Sequence, residues 1–192
     1  MKARNNPFRT DRVLDVRYRL CDETLNDLLE RLQKMGFRGA IIGPNGTGKT
    51  TLLEDLEPAL CALGFRIKKL RLDDEKRSFA KVFIKDFFAD LTAQDFILFD
   101  GAEQMTTIDW QLFKFKSKKA GGMLITAYRK GLLPTLKECE TSPELLQEII
   151  SDLLGGASSE SSSSTTELFH RHRGNIRVAL REMYDVYAGK PI

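Results

Sequence analysis

The sequence has 192 residues, of which 42% are hydrophobic, and its 30 basic and 27 acidic residues leave a formal net charge of +3. This length fits one compact domain with a small appendage, and the nearly balanced charge gives no electrostatic argument for nucleic-acid binding. Three widely spaced cysteines without a CxxC pair argue against a disulfide framework or a zinc site and are typical of a reducing compartment.

The sequence also shows no feature of a secreted or membrane protein. Its first residues lack the apolar segment of a signal peptide, and no stretch approaches the length of a membrane span. We therefore expect a cytoplasmic protein with no membrane partner.

The N-terminal part of the chain is predicted to contain an arm, a helix and a strand. Residues 1–20 are polar and rich in arginine, which indicates a mostly irregular arm. Leucines at helical spacing predict a helix from about residue 21 to residue 35, with Thr24 as its cap and Gly36 at its end. Residues 38–42 are apolar and run into glycines, as a first buried strand does.

Helices and strands then alternate. Further helices are predicted at about 49–63, 81–91, 108–119 and 142–154, and further strands at 65–72, 96–99, 122–127 and 134–139. The first of these helices is predicted to carry Leu63 on its apolar face, and the second to point Phe83 inward. The strand at 65–72 alternates apolar and basic residues, as an edge strand does, whereas 96–99 is wholly apolar, as a central parallel strand is. This order predicts an α/β fold of three layers, with a mainly parallel five-stranded sheet and helices on both faces.

The C-terminal part is predicted to be a linker and a small helical lid. Residues 155–166 consist mostly of glycine, alanine, serine and threonine, a composition typical of a flexible linker. A single helical segment is predicted within 167–192. The predicted organisation is therefore an arm at 1–20, a core at 21–154, a linker at 155–166 and a lid helix at 167–192.

A phosphate-binding pattern lies between the first strand and the next helix. Residues 43–50 read Gly-Pro-Asn-Gly-Thr-Gly-Lys-Thr and match G-x-x-x-x-G-K-[ST] completely. The glycines let backbone N–H groups approach phosphates, Lys49 reaches the β- and γ-phosphates, and the Thr50 hydroxyl binds Mg²⁺. The predicted nucleotide-binding residues are Gly43, Pro44, Asn45, Gly46, Thr47, Gly48, Lys49, Thr50 and Thr51.

A second carboxylate site follows the central strand. Asp100 ends an apolar strand 51 positions after Lys49, as in the Walker B arrangement, and is predicted to hold Mg²⁺ together with Thr50. The alternative is an aspartate that caps a strand-to-helix turn. Hydrolytic P-loop proteins often place glutamate directly after this aspartate, but here that place is Gly101. We predict that Glu103 orients the attacking water; otherwise Glu103 begins a helix and complements its dipole.

Further polar residues follow the fourth strand and lie in the C-terminal segment. Thr126 is predicted to hydrogen-bond the attacking water or the γ-phosphate, unless it is simply a β-branched strand residue. Arg129 either neutralises the γ-phosphate or is a solvated loop residue. Arg173, Arg177 and Arg181 recur every four residues, so one helical face either reaches the nucleotide or is solvated. We predict catalytic roles for Lys49, Glu103, Thr126, Arg129 and Arg177.

Together, residues 5–187 resemble the P-loop ATPases of the AAA+ and STAND group. Asp100-Gly-Ala-Glu103 is similar to STAND-type Walker B sequences, and residues 125–129 are similar to the strand-end sensor of that group. Gly174-Asn-Ile-Arg177 resembles the second sensor of AAA+ proteins, which makes Arg177 the lid candidate. The chain lacks the Leu-Ser-Gly-Gly-Gln signature of transporter-type ATPases, its lid is shorter than a full AAA+ helical domain, and no trans-acting arginine finger can be assigned.

Three functions remain open at this stage. The first is a Mg²⁺-dependent ATPase that acts as a conformational switch or motor-like regulator; the second is a small-molecule or nucleoside kinase. The third is a non-hydrolysing, ATP-dependent adaptor that contacts DNA, since residues 113–119 mix aromatics and lysines. The prediction of ATP rather than GTP as the nucleotide rests on the resemblance and on the lack of an Asn-Lys-x-Asp motif, which guanine-binding proteins carry. A protein client and a homo-oligomer stay open as partners.

Overall fold

A computed structural model describes residues 6–73, 78, 79, 81–156 and 162–189. The chain divides into two units. The sheet unit comprises Arg19–Gly43 and Lys49–Glu138, and the helical unit comprises the chain up to Tyr18, Pro44–Gly48, and the chain from Cys139 onwards. Within the described residues, no helix combines the length and the apolar character needed to cross a membrane.

The sheet unit contains five parallel strands in the order β2-β3-β4-β1-β5. The strands are β1 (Arg38–Ile42), β2 (Arg66–Arg71), β3 (Asp95–Asp100), β4 (Gly122–Ala127) and β5 (Thr135–Glu138). The helices of this unit are α2 (Leu25–Lys34), α3 (Lys49–Ala62), α4 (Lys81–Ala89) and α5 (Thr107–Lys116), with 3₁₀ turns at Ala102–Gln104 and Ser117–Lys119. The predicted α/β fold with a parallel five-stranded sheet is confirmed.

Both faces of the sheet are buried. Ile97 and Phe99 of β3 pack in one cluster with Phe88 of α4 and with Trp110 and Phe113 of α5. The alternate strand residues, which point to the opposite face, are also buried: Ile41, Phe96, Leu98 and Leu124. Burial on both faces explains why these strands are apolar almost throughout.

Local sequence signals correctly predicted the cap of helix α2 and the edge position of strand β2. Thr24 caps α2 through a reciprocal capping box with Asp27, as the predicted cap requires. Strand β2 lies at the sheet edge, which confirms the prediction drawn from its alternating basic residues. Its Lys69 forms an ion pair of 2.5 Å with Glu57 of α3.

The helical unit is built around an aromatic anchor from the N-terminal arm. Its helices are α1 (Thr10–Leu14), α6 (Pro143–Leu153), α7 (Ser162–Arg171) and α8 (Ile176–Tyr187). Phe8 is buried in one cluster with apolar residues of α6, α7 and α8, and its ring lies 5.1 Å from the ring of Tyr187. The Asn6 side-chain amide donates a 2.8 Å hydrogen bond to the Tyr184 carbonyl. The arm is therefore an integral part of this unit.

The structure differs from the sequence-based organisation at the C-terminus. Helix α7 begins at Ser162, inside the range predicted as a linker to residue 166, because the buried Thr165 and Leu168 anchor it in the unit. The rest of that linker, residues 157–161, lies outside the described residues. The lid segment forms two helices, α7 and α8, rather than one, since the chain turns between His172 and Asn175.

Three smaller predictions also need correction. The arm contains the short helix α1, so it is less irregular than expected. Phe83 was predicted to point inward on α4, but 47% of it is exposed, and its ring rests against Phe79 and Phe87. Leu63 was assigned to the buried face of α3 but follows the last residue of that helix and is 54% exposed.

Candidate functional site

The phosphate-loop pattern occupies the connection between β1 and α3. Strand β1 ends at Ile42 and helix α3 begins at Lys49, so the strand–loop–helix context that the pattern requires is present. Within the loop, the Thr47 hydroxyl donates a 2.9 Å hydrogen bond to the Pro44 carbonyl. The backbone at Gly46 adopts a φ of +79°, a left-handed conformation that an L-residue adopts only with strain.

In the helical unit, two side chains approach the glycines of this loop. A Cβ atom added to Gly46 would lie 1.9 Å from Asn175 Oδ1, and one added to Gly48 would lie 2.9 Å from the Tyr18 ring. Asn175 is the N-cap of α8, where its Oδ1 accepts a hydrogen bond from the Val178 N–H. The glycines therefore serve close packing as well as loop conformation.

In the sheet unit, Lys49 is buried at the first position of α3. Its Nζ donates a 2.7 Å hydrogen bond to the Gly43 carbonyl. The same Nζ lies 5.1 Å from the centroid of the Tyr128 ring, a cation–π distance. The ammonium group is thus held at the carboxyl ends of β1 and β4, the edge at which parallel α/β sheets bind ligands.

Asp100 is the centre of a small hydrogen-bond network at the end of β3. The Thr50 hydroxyl lies 3.0 and 3.2 Å from the two Asp100 carboxylate oxygens. The Thr126 hydroxyl donates a 2.6 Å hydrogen bond to Asp100 Oδ1 and accepts one of 2.8 Å from the Gly101 N–H. Arg71 approaches the same carboxylate at 3.9 Å. The two residues predicted to bind the metal, Thr50 and Asp100, are therefore in direct contact.

This donor set fits Mg²⁺. One carboxylate and one hydroxyl are hard oxygen ligands, and Mg²⁺ is commonly held by one or two carboxylates together with phosphates and water. The described residues contain no group of three His, Cys, Asp or Glu side chains that could bind a metal without such help. A metal at this site would thus depend on the oxygens of a bound nucleotide.

The backbone after Asp100 explains why the predicted catalytic acid is displaced. Gly101 has a φ of +85°, and a Cβ atom added there would lie 2.0 Å from the Leu72 carbonyl oxygen. A glutamate therefore cannot occupy this place without moving the chain. Glu103 lies in the 3₁₀ turn that follows, is half-buried, and has its Oε2 atom buried. Glu103 is the middle residue of this three-residue turn and does not begin a long helix, so little of a helix dipole exists for it to complement.

The contacts of Thr126, Arg129 and Arg177 do not test the roles predicted for these residues. Thr126 is buried and donates its hydroxyl proton to Asp100, so its predicted contact with water or a γ-phosphate stays a prediction. Arg129 is exposed in the turn after β4, and Arg177 is exposed in the first turn of α8. Their predicted roles at the γ-phosphate stay predictions too.

Four residues that contact predicted site residues were not singled out from the sequence. Tyr128 and Arg71 each follow or end a strand, and that position is a usable signal, because strand ends in parallel sheets meet at the ligand edge. Asn175 could have been noted as an N-cap directly before a helical pattern. For Tyr18 the sequence offers no signal, since its contact with Gly48 arises from the path of the arm.

Comparison with known proteins shows similarity at the level of the fold. No protein-family model matches the sequence. No curated protein matches it either. Among solved structures, the RuvB Holliday junction branch migration motor of Thermotoga maritima matches with a TM-score of 0.57 and 20% identity over 84% of this chain and 59% of that chain.

Two proteins of replication initiation are also similar. Domain III of the Thermotoga maritima replication initiation protein DnaA matches with a TM-score of 0.54 and 14% identity over 88% of this chain and 85% of that domain. A DNA replication initiation factor matches with a TM-score of 0.55 and 19% identity over 82% of this chain and 58% of that chain. The chain thus spans less than two thirds of RuvB and of the initiation factor. Strand order, phosphate loop and these matches together show that the chain has a P-loop NTPase fold, which it shares with RuvB and with domain III of DnaA.

Proposed function

We propose that the protein binds ATP together with Mg²⁺, hydrolyses it, and uses the cycle as a conformational switch. The contact of Thr50 with both carboxylate oxygens of Asp100, at 3.0 and 3.2 Å, carries this proposal. It joins the last residue of the phosphate loop to the strand-end aspartate, which is the pairing that P-loop proteins use for Mg²⁺. ATP rather than another nucleotide rests on the resemblance to AAA+ ATPases.

The residues of the chain would divide the work of hydrolysis. Backbone N–H groups of the loop and the Lys49 ammonium would bind the β- and γ-phosphates. Thr50 and Asp100 would hold Mg²⁺, which when bound neutralises charge on the phosphate oxygens. Thr126 would keep the Asp100 carboxylate in one orientation through its 2.6 Å hydrogen bond.

Glu103 would serve as the base. Water attacks the γ-phosphorus, the bond from that phosphorus to the oxygen shared with the β-phosphate breaks, and a proton of the water passes to the Glu103 carboxylate. ADP and phosphate are the products. Because Glu103 stands three residues after Asp100 rather than directly after it, we expect slow turnover that a partner could accelerate.

The switch would involve the two remaining arginines. Arg129 follows β4 and Arg177 lies in the first turn of α8, so each is near the end of an element that the resemblance associates with sensing the γ-phosphate. A protein client or DNA would respond to that change. The names of the similar proteins, a branch migration motor and initiation proteins, make DNA a reasonable effector to test.

The test is nucleotide hydrolysis by the wild type and by Lys49→Ala, Asp100→Asn and Glu103→Gln. We expect each variant to lose activity by at least about 100-fold, with Glu103→Gln still binding ATP. A matched control is Asp90→Asn, which removes an exposed carboxylate at the end of α4 and should leave the rate unchanged. Each assay is run with and without DNA.

Three outcomes would contradict the proposal. Unchanged phosphate release in Glu103→Gln would remove that residue from the mechanism. Phosphate transfer that occurs only after a small-molecule acceptor is added would identify a kinase instead, and tight ATP binding without turnover under any condition would identify a non-hydrolysing adaptor.

A further inference from the structure

Helix α5 carries an exposed apolar surface that the proposed function does not use. Ile108, Leu112 and Phe115 are 74%, 56% and 69% exposed. They follow one another at spacings of four and three residues, which places them on one face of a helix. We call these three residues the α5 stripe. Exposed large apolar side chains that form one continuous patch usually mark an interaction surface.

The α5 stripe lies opposite the buried face of its helix. At about 100° of rotation per residue, its three members fall within about 60° of one another and about 160° from the mean direction of Trp110 and Phe113. Trp110 and Phe113 are buried in the core of the sheet unit. A helix that is apolar on two opposite faces is typical of a helix covered on both sides. Something in solution is therefore expected to cover the stripe.

Charged residues flank one side of the α5 stripe. Asp109 and Lys116 lie within about 20° of each other around the helix, both about 80° from the centre of the stripe. Asp109 accepts a 2.7 Å hydrogen bond from the Thr106 hydroxyl, and the Lys116 ammonium lies 5.7 Å from the Phe88 ring centroid. Within the part of the chain that the structure describes, neither side chain forms an ion pair. An acid and a base thus stand at opposite ends of the same flank.

We propose that the α5 stripe binds the α5 stripe of a second copy of this chain, with the two helices antiparallel. A two-fold axis at the level of Leu112 places the two Leu112 side chains against each other and each Ile108 beside the Phe115 of the other copy. The same axis brings Asp109 of one copy to Lys116 of the other on the same flank. The pattern is thus self-complementary in both shape and charge, as an isologous interface requires.

The remaining charges agree with the antiparallel arrangement. Lys114, Lys116, Lys118 and Lys119 lie at the C-terminal end of α5 and just beyond it. Antiparallel packing keeps the two lysine-rich ends apart by about the length of a ten-residue helix, roughly 15 Å. A parallel pair would place them side by side. Gln111 lies on the opposite flank near the two-fold axis, so it would face the Gln111 of the other copy.

Nucleic acid is the competing occupant. The lysines after Leu112 and the exposed Phe115 ring could contact phosphates and a base, but Lys118 already lies 5.4 Å from the centroid of that ring. Such binding would also leave Ile108 and Leu112 uncovered. A second copy accounts for all three apolar residues and for Asp109, which phosphates would repel.

The test is sedimentation of the full chain over a concentration series. The stripe is smaller than a standard interface, so we expect a monomer–dimer equilibrium with a dissociation constant on the order of 10 to 100 µM. Leu112→Glu should leave only monomer at every concentration. Asp109→Lys and Lys116→Asp should each weaken dimerisation about fivefold to tenfold, because each change affects two symmetric contacts.

The double variant Asp109→Lys/Lys116→Asp tests the antiparallel arrangement. It restores both ion pairs between the copies with reversed charges, so it should recover the wild-type dissociation constant to within about threefold. Leu63→Glu is the matched control, because it adds the same charge at a leucine that is 54% exposed outside α5, and it should leave the equilibrium unchanged. Circular dichroism checks that every variant is folded.

A wild type that stays monomeric, a dimer that survives Leu112→Glu, or a double variant as weak as its parents would each overturn the proposal. A monomer that binds a single-stranded oligonucleotide in a Phe115-dependent way would also overturn it. None of these outcomes depends on ATP hydrolysis, so the failure of one proposal leaves the other intact.

Discussion

The two units of the chain hold the residues of the predicted site by different kinds of interaction, each within its own unit. In the sheet unit, Thr50, Asp100 and Thr126 are linked by directional hydrogen bonds of 2.6 to 3.2 Å. In the helical unit, Asn175 and Tyr18 approach Gly46 and Gly48 through packing that only glycine permits. One unit fixes oxygen atoms at defined positions, while the other fits the surface of a loop.

The contrast indicates which substitutions each unit tolerates. The sheet unit should respond to loss of a donor or acceptor at nearly constant volume, because buried polar groups without partners are costly. The helical unit should respond to a change of volume, because close packing leaves no room for added atoms and loses contacts when atoms are removed.

The largest effect is expected from Phe8→Ala in the helical unit. Phe8 is buried among α6, α7 and α8, so truncation should lower the free energy of unfolding by about 3 to 5 kcal/mol. Urea unfolding with hydrogen exchange would measure it, and protection should fall in α6–α8 first. Leu14→Ala, at an exposed position of α1, is the control. Equal loss of protection in β3 and β4 would break the distinction between the units.

Thr126→Val tests the sheet unit at nearly constant volume. The change removes the hydrogen bond to Asp100 and leaves the Gly101 N–H without its acceptor. We expect about 1 to 3 kcal/mol of lost stability and a 10- to 100-fold loss of ATP turnover. Thr126→Ser keeps the hydroxyl and should retain most activity. If the serine variant were as impaired as the valine variant, packing rather than hydrogen bonding would explain the role of Thr126.

Gly46→Ala tests the packing contact in the helical unit. The new methyl group would overlap Asn175 Oδ1 and would also strain a left-handed backbone, at a combined cost of about 1 to 3 kcal/mol. Asn175→Gly alone should cost only a few tenths of a kcal/mol as an N-cap change, and combined with Gly46→Ala it should relieve part of the cost. Thermal unfolding of the wild type, the two single variants and the double variant measures the coupling energy between positions 46 and 175. Strictly additive effects would show that the contact between these two positions is absent.

The smallest effect is expected at Glu23, which lies in the sheet unit away from the site. Its carboxylate contacts Lys137 at 2.5 Å and Arg31 at 2.7 Å. The hydrogen bond from Lys137 lowers the pKa of Glu23 below its ordinary value, against an opposing effect of burial and with further help from Arg31. A lowered folded-state pKa gives stability that is present above the unfolded-state pKa and is lost as the pH falls through the folded-state pKa.

Glu23→Gln should therefore cost about 1 kcal/mol near neutral pH, and the difference from wild type should shrink in acid, below the ordinary pKa of a glutamate. Urea unfolding at a series of pH values measures this difference. Glu30→Gln removes the exposed partner of Lys34 and should change stability little at any pH. A Glu23→Gln penalty that grew on acidification would contradict the direction of the pKa shift.

The elements that the sequence predicts well are those whose limits are set locally. Strands β1 and β4 were predicted with the observed bounds, because a glycine marks one end of each short apolar run. Helix α7 was missed in its first half, since a run of serines and threonines has weak helix propensity and becomes helical only where Thr165 and Leu168 are buried. Tertiary packing, which a local pattern cannot show, decides that case.

The same distinction holds within the candidate site. The phosphate-loop pattern and the strand-end aspartate were sufficient to predict that Thr50 and Asp100 would lie together, because each has a fixed place in a strand–loop–helix arrangement. Tyr128 and Asn175 came only from the structure, as each contact joins segments far apart in the chain. The hydrogen bond from Thr126 to Asp100 also came only from the structure, because it depends on the direction of the side chains and not on their spacing in the sequence.

The close approach of Leu72 to Gly101 has a consequence for how this site could change over time. Because the Leu72 carbonyl occupies the space that any side chain at 101 would need, a single substitution cannot move the acid next to Asp100. The chain after β2 would have to shift first, and that shift alone would bring no gain in catalysis. Under the proposed mechanism, an acid directly after Asp100 would therefore require two coupled changes in separate parts of the sequence, so we expect the catalytic acid to stay at position 103.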